Sequence, residues 1–205
     1  MKPVPAGRIS RGLRAIAGAA LLVGMVGNSR PASGQIILEW AKDHTAKWYD
    51  AFNAGYQLPA SGPVSNAEVI TEFRRAVLIV RDHANQGEYG FTERDLERAM
   101  APYRGLVTVI VDVRLNPLNT FIKAPPYNFY IQTGPTTRAL GPRNFERTSQ
   151  FGVPMPSPGT PLTGVHLQGT FLAADINGAS APTVVVVDDK GDVLWSARLD
   201  LSRFR

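Results

Sequence analysis

The chain of 205 residues contains no cysteine, which excludes disulfides, thiolate metal sites and a thiol nucleophile. It has three histidines, His44, His83 and His166. His44 follows Asp43 and His83 follows Asp82. Neither stands one helical turn from a second ligand, so no metal site is predicted and both read as surface histidines at helix ends. No Gly-x-Ser-x-Gly elbow nominates a serine nucleophile, and no glycine-rich phosphate cradle is present. Asn-x-Ser/Thr sequons are absent too. These absences leave no recognisable catalytic residue and no cofactor motif.

Acidic residues are missing from the first 34 positions, which hold Lys2, Arg8, Arg11, Arg14 and Arg30. Those five account for the whole formal charge of +5, and basic and acidic residues are equal in number afterwards. The remainder therefore lacks the electrostatic footprint of a nucleic-acid binder. The basic start is followed by an apolar run from Ala15 to Gly27 and by the small residues Ala32-Ser33-Gly34. That pattern predicts a signal peptide over 1–34, cleaved before Gln35. The apolar run of 13 residues is shorter than the about 20 that span a bilayer, so no stable membrane insertion is expected after cleavage. Arg8 and Arg11 are not the adjacent pair of a twin-arginine signal. With no sequons and no disulfides, the expectation is a bacterial protein outside the cytoplasm, periplasmic or secreted.

Beyond the leader, Ile37, Trp40 or Ala41, Trp48 and Phe52 recur with charges between them, which predicts an amphipathic helix from Gln35 to about Ala54. Glu39 and Asp43, one turn apart, read as solvent-facing charge. Pro59 to Pro63 forms a breaker cluster. Ser65 and Glu68 then match a capping box, followed by Val69, Phe73, Val77, Val80 and Ala84 at helical spacing. Thr92 and Asp95 start a shorter helix with Leu96, Met100 and Tyr103 on its inner face.

At Leu106 the period changes to two. Val107, Val109, Val111, Val113 and Leu115 alternate with Thr108, Asp112 and Arg114. Further strands are predicted at Tyr127–Ile131, Thr163–Leu172 and Thr183–Val187. The last is a β-branched run buried on both faces, closed by Asp188-Asp189-Lys190-Gly191 into a return strand with Val193, Trp195, Ala197, Leu199 and Leu201 on one face. Lys190 stands where a calcium loop would need an oxygen ligand, so Asp188–Asp192 reads as a hairpin turn. Nine of the 16 prolines lie between Pro117 and Pro161, which breaks the strands apart with stiff connections.

Ala181-Pro182-Thr183-Val184-Val185-Val186-Val187-Asp188-Asp189-Lys190-Gly191 resembles the proline-led final hairpin of thioredoxin-like proteins, over about a tenth of the chain. That family's Cys-x-x-Cys is absent, so the resemblance implies no redox function. Asp175 to Ser180 is too short to hold the helix and strand the family places before the proline. The run of strands without intervening helices fits an immunoglobulin-like sandwich instead.

The expected fold is therefore α+β: two or three N-terminal helices over 35–105, packed on an antiparallel, β-sandwich-like domain over 106–205. Phe121, Lys123, Tyr127, Phe129 and Tyr130 around Pro125-Pro126 are the candidate binding residues, a rigid aromatic platform. Regular alternation would instead turn Tyr127 and Phe129 into the core. The functional expectation is a non-catalytic binding or structural module of the cell envelope, with a protein, glycan or envelope component as partner. An exported hydrolase with an unrecognised site is the alternative.

Overall fold

The computed structural model describes residues 46–88, 90–119, 123–134, 139–152, 161–179 and 181–204. The leader, the stretch Gln35–Thr45 with Glu39, Asp43 and His44, and Phe121 lie outside the described residues.

Among the described residues, eight strands form two four-stranded sheets whose neighbours all pair antiparallel. The first sheet has the order β1 (Val64–Ile70), β2 (Leu106–Arg114), β6 (Leu162–Leu172), β5 (Asn144–Phe151). The second has β4 (Ala139–Leu140), β3 (Asn128–Gln132), β7 (Thr183–Val187), β8 (Val193–Arg198). The α-helices among the described residues are α1 (Ala46–Ala54), α2 (Glu72–Asn85), α3 (Glu93–Met100) and the short α4 (Ala173–Asn177). No described pair of strands is parallel, so the likeness of the Thr183–Arg198 hairpin to that of thioredoxin-like proteins does not extend to the sheets.

Alternation supplies the core. Val107, Val109, Val111 and Val113 of β2, with Val165, Leu167 and Phe171 of β6, share one cluster with Phe129, Ile131, Val184, Val186 and Trp195 of the second sheet. The Phe129 ring lies over Gly169, where an added Cβ would stand 2.5 Å from its Cζ, and it also meets the rings of Phe145 and Phe171. Burying each large apolar side chain of this set contributes roughly 1.5–3 kcal/mol.

Three sequence expectations are corrected. Ser65 and Glu68 do not open a helix; they lie in β1, which pairs with β2. Val64, Ala67 and Val69 fill the core from this strand, a gain that a helical start would forfeit. The helix begins after β1, where Thr71 in extended backbone accepts from the Arg74 N–H at 3.3 Å. In chain order α2 and α3 lie between β1 and β2, which pair with each other.

Tyr103, expected on the inner face of α3, is exposed under the Arg75 guanidinium, 4.2 Å from the ring centre. The chain tightens into a 3₁₀ turn at Ala101–Tyr103, and the change of period rotates Tyr103 away from Leu96 and Met100. Thr92 and Asp95 start that helix as expected, and they do so as a capping box.

Val193, expected beside Trp195, is 60% exposed. A bulge opposite Val186 and Val187 breaks the alternation, so Leu194 touches the core instead. Trp195, Ala197 and Leu199 are buried as their alternation demands, and Trp195 Nε1 donates to the Pro59 carbonyl at 3.1 Å. The hairpin turn holds as read: Asp188 Oδ1 accepts from the N–H groups of Lys190 (2.9 Å) and Asp192 (2.8 Å), with Gly191 at φ 88°.

Candidate functional site

The residues that face away from the core on the first sheet form cross-strand rows. Val111 and Val113 point inward, so Asp112 points outward; Val165 and Leu167 do the same for His166. The register then sets Asn66, Asp112, His166 and Thr148 opposite one another across β1, β2, β6 and β5. A four-strand row of polar side chains results.

Asp112 is its centre. His166 Nδ1 lies 2.7 Å from Asp112 Oδ1, Gln150 Nε2 donates to the same oxygen at 2.8 Å, and Asn66 Nδ2 donates to Oδ2 at 3.2 Å. A carboxylate only accepts, so toward Asp112 as a carboxylate Nδ1 is the donor, and in the neutral ring Nε2 then carries the lone pair. The Asp112 side chain is 18% exposed and that of His166 32%. The carboxylate is thus largely shielded, while the imidazole edge reaches solvent.

Two irregularities in the strands make this convergence possible. Ser65 is the extra residue of a bulge in β1, which lets Val64 enter the core while Asn66 faces Asp112. Ser65 Oγ also donates to the Asp112 backbone carbonyl at 3.2 Å. On the other side, Gln150 of β5 is paired with Gly164 of β6 and must cross that strand to reach β2. A Cβ on Gly164 would lie 2.5 Å from Gln150 Oε1 and 2.8 Å from the Val113 carbonyl, so glycine clears the path.

The face is half closed. Ile70, Thr108 and Ile110, on the β1 and β2 side, are buried, and Arg75 Nη2 donates to Thr108 Oγ1 at 2.9 Å. Burial lowers the pKa of Arg75, with Arg74 adding repulsion, and Tyr103 works against the shift. Arg74 itself is buried, pairs with Glu68 at 2.5 Å and donates to the Val69 carbonyl at 2.8 Å. On the β6 and β5 side Gln168 is half-buried, and Glu146 and Thr148 are exposed.

Chemically, the Asp112–His166 pair can orient an imidazole and offer Nε2 as acceptor or base. No serine or threonine among the described residues makes a hydrogen bond to it, and Ser149, next to Thr148, has the opposite strand orientation. No group of three or more His, Asp or Glu among the described residues could hold a metal ion. A cleft of about 480 Å³ is lined by Thr133, Ala139, Leu140, Gly141 and Asp175, of which Asp175 is the titratable one. His83 contacts Glu88 and stacks on Phe91 with ring centres 3.9 Å apart, at the end of α2.

The residues anticipated as an aromatic platform are dispersed. Lys123 is exposed, and Tyr130 is half-buried on the outer face of the second sheet, opposite Val185. Tyr127 is half-buried against the core, and its hydroxyl pKa is raised by burial first and by Asp188 and Asp189 next. Phe129 leaves the set: alternation turns it inward, 2% exposed. The row at Asp112 carried a signal in sequence, an acid inside a valine strand and a histidine between Val165 and Leu167, but nothing in sequence fixed the register that joins them.

No family model, curated protein or solved structure matches the chain.

Proposed function

We propose that this is an exported bacterial protein built as an immunoglobulin-like sandwich, a non-catalytic binding module of the cell envelope. Its recognition surface is the outer face of the first sheet around His166. The strand order supports the sandwich: in chain order, strands one, two, six and five share a sheet, and four, three, seven and eight share the other. This corresponds to the A-B-E-D and C′-C-F-G sheets of an immunoglobulin domain, with α2 and α3 inserted between A and B. The basic leader with its apolar run supports export, and the balanced charge of the remainder argues against nucleic acid as partner.

One observation carries the binding reading over the hydrolase. The side chains of four strands converge on Asp112 and His166 on an open sheet face, where no described nucleophile is hydrogen-bonded to the imidazole. A rigid, pre-ordered hydrogen-bonding face suits recognition, because little side-chain entropy remains to be lost. Catalysis would need a nucleophile or positioned water enclosed with the base.

Co-sedimentation of the full chain with isolated cell envelopes tests this reading. The wild type should pellet with envelopes, and Thr148→Arg, which blocks the face without touching Asp112, should remain in the supernatant. Equal pelleting by both would contradict the assignment of the surface. Hydrolysis of a panel of esters and glycosides that is abolished by His166→Ala would establish the hydrolase instead.

A further inference from the structure

We propose that the open half of this face binds a neutral polysaccharide chain through its hydroxyl groups. The inference rests on the reading of the face as the recognition surface and specifies its ligand. The available groups are few and mixed. In the neutral ring His166 Nε2 is an acceptor, because the single ring proton is then on Nδ1, facing Asp112. Glu146 is an acceptor whose one described partner is the Asn144 amide at 3.5 Å. Thr148 and Gln168 each offer both a donor and an acceptor.

This mixture selects among ligand chemistries. A hydroxyl donates and accepts, so a polyol satisfies every group in the set. An ammonium only donates and would leave the Gln168 amide hydrogens without a partner. A phosphate or sulfate only accepts, and it would approach the carboxylates of Glu146 and Asp112. Arg74 is committed to Glu68, and Arg75 to Thr108 and Tyr103, while the exposed Arg114 lies in the Gly164–Gln150 row, on the other side of His166 from Gln168 and Glu146. A neutral hydroxyl-rich ligand is the complementary one.

The sheet also repeats these groups in space. Neighbouring strands stand about 4.8 Å apart, and successive outward residues of one strand are about 7 Å apart. His166 and Thr148 occupy one row, Gln168 and Glu146 the next. A linear chain of sugar units lying across both rows meets partners at more than one unit, whereas a single sugar reaches one or two. Chain length should therefore raise affinity.

The test is an NMR titration of the isotopically labelled full chain with glucose, cellotetraose, maltotetraose and N-acetylglucosamine tetraose, each to about 10 mM, enough to reveal millimolar binding. At least one tetraose should shift the His166 imidazole, the Gln168 side-chain amide and Thr148, with affinity at least tenfold above that of glucose. Glu146→Ala should weaken that binding roughly five- to tenfold, the loss of one hydrogen bond. Glucose binding as well as the tetraose would overturn the polysaccharide assignment, and so would silence at these three residues with all four sugars. If putrescine or inorganic phosphate shifts the same three residues while sugars do not, the face stands and the sugar falls. Sugar-induced shifts confined to Lys123–Tyr130 would overturn both the ligand assignment and the choice of face.

Discussion

Gln150 donates to Asp112 at 2.8 Å although a whole strand lies between them, and it passes over Gly164 to do so. The missing side chain at Gly164 is therefore part of the site. Gly164→Ala places a methyl 2.5 Å from Gln150 Oε1 and 2.8 Å from the Val113 carbonyl, and the second of these is backbone that cannot swing aside. Overpacking of this kind costs about 1–3 kcal/mol. Chemical denaturation should show that loss, and the Gln150 side-chain amide resonances should move to solvent-exposed positions. Unchanged stability with unchanged Gln150 resonances would contradict the crossing.

Trp195 is the second point of leverage, because it joins β8 to the segment before β1. Trp195→Ala removes a buried aromatic and should lower stability by about 3–5 kcal/mol. Trp195→Phe keeps most of the bulk and loses the bond to the Pro59 carbonyl, a cost of about 1 kcal/mol plus a smaller packing loss. Thermal melts of the two variants should rank them in that order. A melting temperature for Trp195→Ala within a degree or two of wild type would refute the core position.

Much of this fold was legible. The valine alternation of β2, the β-branched run of β7, the Asp188–Gly191 turn and the Thr92 cap were each set by local chemistry that survives in the folded chain. β1 was not, because Val64–Ile70 fits a helical start equally well until β2 is beside it. Nor was β5: Asn144–Phe151 has too few apolar residues to announce a strand, being an edge whose outward side is solvated. The site was hidden for the same reason. Asn66, Asp112, Gln150 and His166 span a hundred positions of sequence and meet only through the register of four strands.

Arg74 tests how α2 is fastened to the sheet. Its guanidinium bridges Glu68 and the Val69 carbonyl of β1 and lies over the Tyr56 ring, 5.2 Å from the centre. Arg74→Met retains the apolar stem and leaves Glu68 without its cation. The loss should be about 1.5–3 kcal/mol, the range for hydrogen bonds to charged groups, and Arg74→Lys should recover only part of it because it cannot bridge both acceptors. Full recovery in the lysine variant would contradict the two-point geometry.

The start of α3 should respond to acid. The Thr92 side-chain hydroxyl, and then its backbone N–H, hold the Asp95 carboxyl below the usual aspartate range, with Arg98 contributing less. A depressed folded-state pKa means that the contribution of the cap is present above the unfolded value and is lost as pH falls through the folded one. NMR titration of the Asp95 carboxyl should find its midpoint below that of an unstructured aspartate, and Thr92→Ala should move it upward. No movement in Thr92→Ala would place the cause elsewhere.

The account depends most on Asp112 holding the proton on Nδ1 of His166, so that Nε2 is presented outward as an acceptor. A long-range proton–nitrogen correlation spectrum of the imidazoles, recorded where His166 is neutral, reads the tautomer directly. The protonated nitrogen of His166 should be Nδ1, with Nε2 at the shift of an unprotonated nitrogen, and Asp112→Ala should shift the ring towards the tautomer mixture of a free histidine. A neutral ring protonated on Nε2 in the wild type would contradict the account.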